Sequence, residues 1–176
     1  MPRFVALLRG VNVGGSGRMK MADLRACVEG AGYTDVATHI QTGNVILRTS
    51  IRSPEKVATA LEEAVAADLG FRTAAMVRTA AQLTAALDAN PFPEADPKAL
   101  HIGFLREEPP AEKAKALSPP DGPDDLRVIG REVHLLYPEG MGRSKMGGAY
   151  VEKRLGIPVT VRNRKVVTDL RDLLEA

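Results

Sequence analysis

The sequence predicts an α+β chain of two ferredoxin-like halves: a β-α-β-β-α-β unit, then a related β-α-β-β-α unit and a C-terminal helix. Three observations carry this. Short apolar or β-branched runs alternate with helix-period segments through residues 1–78, in the order that closes an antiparallel sheet with two helices on one face. Two of the strand-like runs are separated only by Gln41-Thr42-Gly43-Asn44, which reads as a hairpin turn. After Asn90-Pro91-Phe92-Pro93 the succession of strand, helix, strand and strand returns.

The first element is the run Phe4-Val5-Ala6-Leu7-Leu8, continuous in apolar character as a strand covered on both faces should be. A glycine-rich loop over residues 9–20 follows. Leu24, Cys27, Val28 and Ala31 then recur at helical spacing, and Gly30 and Gly32 stop the helix. Cys27 lies on that stripe and reads as a small core residue. Residues 36–40 and 45–48 form the hairpin, whose turn requires a positive φ at Gly43 or Asn44. Ser53-Pro54-Glu55 supplies an N-cap, a proline at the first helical position and an acid in the first turn; the helix carries Val57, Leu61, Ala64, Val65 and Leu69 inward and stops at Gly70. Residues 74–78 give the fourth strand. Thr79-Ala80-Ala81-Gln82 is a capping box for a short helix.

In the second half, residues 100–105 read as a strand and 110–117 as a short helix. Residues 126–129 and 132–137 pair about Gly130-Arg131. Ser144 is placed as N-cap of a helix carrying Met146, Tyr150, Val151 and Leu155, and residues 157–161 are strand-like. Asn163 caps the last helix, whose stripe is Val166, Val167, Leu170, Leu173 and Leu174. The expected division is residues 1–78 as the first half, 79–97 as connecting helix and Pro-rich joint, and 98–176 as the second half.

Hydrophobic content of 44% and charged content of 26% suit a globular domain large enough to bury a core. The net charge is only +2, but it is uneven. Basic residues dominate residues 1–25 and 143–171, whereas residues 88–125 are acidic, so two basic regions are available to a phosphate-bearing partner. A single cysteine excludes an internal disulfide and suits a reducing cytoplasm. No run approaches a membrane span, and the apolar stretch near Met1 is too short for a signal-peptide core, so a cytoplasmic protein without a membrane partner is expected. His39, His101 and His134 fall in strands without partners at ligand spacing; neither metal nor cofactor is expected.

The chemistry concentrates in loops. Residues 9–20 fit neither the phosphate loop of nucleoside triphosphatases nor the dinucleotide fingerprint. Their glycines, Gly14 and Gly15 among them, permit close backbone approach to a ligand. Asn12 can donate through its amide, and Arg9, Arg18 and Lys20 can neutralise charge. Gln41, Thr42 and Asn44 join such a site only if the hairpin turn folds toward this loop. Arg143, Ser144 and Lys145 offer two cations and a hydroxyl at a helix start, and Thr160, Arg162 and Asn163 can complete that cradle. With Phe4 the only aromatic in the strands of the first half, an RNA-recognition module that stacks bases on its sheet is disfavoured.

The segments Ala6-Leu7-Leu8-Arg9-Gly10-Val11-Asn12-Val13-Gly14-Gly15, Met21-Ala22-Asp23-Leu24-Arg25, Ile40-Gln41-Thr42-Gly43-Asn44-Val45, Asn90-Pro91-Phe92, Ser144-Lys145 and Thr160-Val161-Arg162-Asn163 resemble a widespread bacterial family catalogued only as a domain of unknown function. The resemblance covers essentially the whole chain. It implies two ferredoxin-like halves and brings no activity with it. Where that family continues its Arg-Asn pair with Trp-Asn-Thr, this chain has Arg164-Lys165-Val166, which makes the position more positive.

The functional expectation is a phosphate-bearing ligand, nucleotide or nucleic-acid backbone, bound where these loops converge in one groove between the halves. Its alternatives are an enzyme acting on a phosphorylated small molecule, with Asp23 or Glu139 as base, and an interaction module whose polar loops are structural.

Overall fold

A computed structural model describes residues 1–13 and 18–176. The chain divides into two compact units, Met1–Ala80 with Asp172–Ala176, and Ala81–Arg171.

The first unit runs β1 (Arg3–Leu8), α1 (Met21–Gly30), β2 (Thr34–His39), β3 (Asn44–Arg48), α2 (Pro54–Leu69) and β4 (Ala75–Arg78). Its strands form an antiparallel sheet in the order β2-β3-β1-β4, with Val5 opposite both Ile46 and Arg78. One sheet face, including Phe4, Ala6, Leu8, Val45 and Leu47, packs in a core with Leu24 and Val28 of α1 and Val57, Leu61 and Val65 of α2. Val5, Leu7, Ile46 and Met76 alternate with these and are buried too, which is why the β1 sequence is continuously apolar. Helix α2 keeps the expected ends: Ser53 Oγ accepts from Lys56 N at 3.3 Å, and Gly70 closes the helix in the left-handed conformation, φ +63°. Helix α1 ends one residue early for its expected stripe. Ala31 is the C-cap and is exposed, because the chain leaves the helix before that position turns inward. Cys27 is buried, and burial together with Asp68 raises its thiol pKa, the condition of an inert core cysteine.

The rest of the chain carries α3 (Ala80–Asp88), a 3-10 turn (Pro97–Ala99), β5 (Leu100–Leu105), α4 (Ala111–Ala116), β6 (Asp125–Ile129), β7 (Glu132–Leu136), a second 3-10 turn (Met141–Arg143), α5 (Gly148–Leu155), β8 (Val159–Asn163) and α6 (Arg164–Glu175), all in the second unit except Ala80 at the start of α3 and the end of α6 from Asp172. Its sheet order, β6-β7-β5-β8, repeats that of the first unit. The strand-like run near residue 159 is therefore a full fourth strand paired along β5, and both halves are complete β-α-β-β-α-β units, consistent with two ferredoxin-like halves. Leu126, Val133, Leu135, Val151, Leu155 and Val159 anchor the second core.

One local expectation is met at Gly43 with a second left-handed residue added, and two change. The hairpin turn draws its left-handed residues from Ile40 (φ +51°) and Gly43 (φ +81°), whereas Asn44 is already in β3. Helix α5 starts at Gly148 with Gly147 as N-cap, so Ser144 does not cap it. On α6, Val167, Leu170 and Leu174 are buried but Leu173 is exposed, since an apolar face of this helix is narrower than five positions.

The folded chain also exposes an internal repeat hidden by divergence elsewhere. Strand β4 and the residue after it read Met76-Val77-Arg78-Thr79, and β8 ends Thr160-Val161-Arg162-Asn163, each stretch immediately before a helix. Arg78 and Arg162 are both buried, and each donates from Nη1 to the carbonyl of the preceding valine, at 3.2 and 3.0 Å.

Candidate functional site

In the first unit the hairpin turn does fold onto the glycine-rich loop. Leu8 N donates to Gly43 O at 2.9 Å, and a Cβ at Gly43 would lie 2.9 Å from Val11 Cγ2, so only glycine fits both the space and the φ. Asn12, itself at φ +55°, is the clasp of the corner. Its Oδ1 accepts from Met19 N at 2.7 Å, while Nδ2 donates to Met19 O at 2.9 Å and to Gln41 O at 2.7 Å. Buried Asn44 donates to His39 O at 3.0 Å and Thr42 Oγ1 at 3.1 Å, closing the turn from within. Asn12, Gln41, Thr42 and Asn44 are thus brought together, the side chains of Asn12, Thr42 and Asn44 and the backbone carbonyl of Gln41 holding the corner. Arg9, Arg18 and Lys20 stand exposed around it, and Asp23 is exposed in the first turn of α1. Gly14 and Gly15 lie outside the described residues.

In the second unit, Ser144 follows the 3-10 turn instead of opening a helix. Its hydroxyl donates to Asp124 Oδ2 at 2.5 Å and accepts from Met146 N at 2.9 Å. Tyr137 fastens the same loop by donating to Met146 O at 2.5 Å; burial, and then Asp124, raise its phenol pKa. Arg143 and Lys145 rim a cavity of about 130 Å³. Asp121, Asp124 and Glu139 line it as well, so the two cations face three carboxylates and the pocket has little preference for an anion.

A larger cavity, about 570 Å³, lies where α6 begins. Pro97, Lys98 and His101 form one wall; Asn163, Arg164, Lys165, Thr168 and Asp169 form the other. The β5–β8 register places His101 opposite Asn163. Asn163 Oδ1 accepts from Val166 N at 2.8 Å and so caps α6 as its sequence promised. Lys165 Nζ is paired with Asp169 Oδ2 at 2.7 Å, and Arg164 Nη1 donates to Leu87 O at 3.5 Å. With Asp169 set against Lys165, the charges of Lys98 and Arg164 remain in excess. Burial lowers the His101 pKa, with the Ala99 carbonyl working against that shift, which favours the neutral ring. It meets Tyr137 edge to face at 5.0 Å.

Arg162 does not join this wall. Strand alternation sends it and Asn163 to opposite faces of the sheet, and its Nη1 donates to Thr160 Oγ1 at 2.6 Å. Burial lowers its pKa to about 10. The cavity residues outside the sequence-derived candidates are Lys98, His101, Arg164, Lys165, Thr168 and Asp169, although Arg164-Lys165 stands out in the sequence as added positive charge. The last four carry a signal, since their spacing puts them on one side of a helix. Lys98 and His101 carry none, because only the pairing of β5 with β8 brings them there.

Comparison with known proteins adds a family and a fold. The family model described as "Protein of unknown function (DUF1697)" matches residues 1–134. Among solved structures, the chain is similar to the conserved bacterial protein SP0830 from Streptococcus pneumoniae, with 24% sequence identity, a TM-score of 0.75, and coverage of 100% of this chain and 99% of that one. At that identity the likeness is one of fold. No curated protein matches the chain.

Proposed function

As the chain belongs to the DUF1697 family, which brings no activity with it, we propose from its own residues that it binds a phosphate-bearing ligand at the cavity beside the start of α6. The observation that carries this is the excess of positive charge at Lys98 and Arg164 on the walls of a cavity about 570 Å³ in size. That volume falls in the range of about 300–1,000 Å³ that small-molecule sites occupy. The N–H groups of the first turn of α6 lack intrahelical acceptors, and Asn163 satisfies only one of them, which adds a favourable field for an anion.

Calorimetric titration of the full chain with AMP, glucose 6-phosphate, inorganic phosphate and single-stranded DNA tests the proposal. Saturable binding of at least one probe is expected, weakened by salt and by Lys98→Glu. Absence of saturable binding for all of them rejects it. A second location is favoured by one specific observation, the exposure of Arg18 and Lys20 beside a loop clasped by Asn12. Loss of affinity in the Arg18→Ala, Lys20→Ala double variant, with none in Lys98→Glu, would move the ligand there.

A further inference from the structure

Resting on the phosphate-binding reading of this cavity, we infer that its ligand is a phosphate monoester with an organic body, of sugar-phosphate or mononucleotide size, and neither a polyphosphate nor a phosphodiester chain. Charge, volume and wall chemistry argue for it together. A phosphate monoester carries about −1.5 to −2 at neutral pH. The cavity offers two positive charges in excess, Lys98 and Arg164, because Asp169 is set against Lys165 at 2.7 Å. One monoester phosphate matches that excess. A second or third phosphoryl group would have no further cation and would meet the Asp169 carboxylate, which repels it.

Phosphate alone leaves the cavity underfilled, since about 570 Å³ suits a small organic molecule. The wall available to the rest of the ligand is mostly carbon: the Pro97 ring, the Thr168 methyl group and the methylene stems of Lys98 and Lys165. Asp169 and His101 are the polar exceptions. The Asp169 carboxylate, bound to Lys165 at 2.7 Å, is an acceptor facing the cavity, and a sugar presents to it carbon-borne hydroxyl donors set away from the phosphoryl group. A phosphodiester backbone brings one charge per phosphate and a neighbouring phosphate a few ångströms along. A single cavity with Lys98 and Arg164 as its excess cations and Asp169 on its wall matches one phosphate and not that repeat.

The test ranks affinities on the full-length protein by calorimetry. The panel is AMP, glucose 6-phosphate, inorganic phosphate, adenosine, ATP and single-stranded DNA. A monoester is expected to bind at least about tenfold more tightly than inorganic phosphate, adenosine, ATP or DNA. Lys98→Ala is expected to reduce monoester affinity, and Asp169→Asn to narrow the gap between AMP and ATP by removing the repulsion. Thermal melts of both variants establish that the fold is kept: Lys98 is exposed, and Asp169 is half-buried with its carboxylate bound to Lys165. If ATP or DNA equals or exceeds every monoester, or inorganic phosphate binds as tightly as the esters, the monoester inference is overturned while phosphate binding stands. If no phosphate-bearing probe binds, both are rejected.

Discussion

His134 sits on β7 with 3% of its surface exposed and its Nε2 buried without a hydrogen bond. Burial, and secondarily the positive charge of Arg164, lower its pKa from 6.5 to about 4. The unfolded chain therefore takes up this proton before the folded one does. The stability His134 allows is complete above pH 6.5 and is lost as pH falls through 6.5 toward about 4. Over that window the loss approaches ~3 kcal/mol. Urea unfolding at a series of pH values should show this decline, and His134→Asn should flatten it; an undiminished slope in the variant would assign the acid sensitivity to other groups. Residue types were readable from the sequence here, but not their environments. Arg162 and Asn163 are adjacent and looked equally available, yet the strand's period of two buries the guanidinium and leaves the amide to cap α6.

At the scale of the element, α6 divides its faces between two tasks. Val167, Leu170 and Leu174 are buried, while Arg164, Lys165, Thr168 and Asp169 line the cavity. Its start is set by the single bond from Val166 N to Asn163 Oδ1. Asn163→Ala should cost about 1 kcal/mol of stability, measured as a lowered denaturation midpoint, and Asn163→Asp, which keeps the acceptor, should restore most of it. Equal losses in both variants would assign the effect to something other than capping. This cap was legible because Asn followed by an apolar-periodic run is a local signal. The hairpin turn was legible only in part. Gly43 announced a positive φ, but Ile40 at φ +51° did not, because a β-branched residue disfavours that region. It is held there by tertiary bonds on either side, Asn44 to the His39 carbonyl and Asn12 to the Gln41 carbonyl.

At the scale of the whole molecule, two sheets of the same strand order each bury their own core, and the cavity at the start of α6 is lined by residues of the second unit alone. A ligand bound there stabilises the native state by mass action. A phosphate monoester at about one hundred times its dissociation constant should add about 2.7 kcal/mol to stability. Hydrogen exchange should slow most at residues 97–101 and 163–169. Slowing centred instead on residues 9–20 and 40–44 would locate the ligand at the first unit's corner. The β-α-β-β-α-β order of the first half, most helix ends and the alternation of buried positions were determined by the sequence alone, because period, caps and turn residues act over a few neighbours. Which polar residues share a cavity was decided only by tertiary structure. Lys98 and Asn163 are far apart along the chain, and it is the hydrogen-bonded register of β5 on β8 that sets them on facing walls.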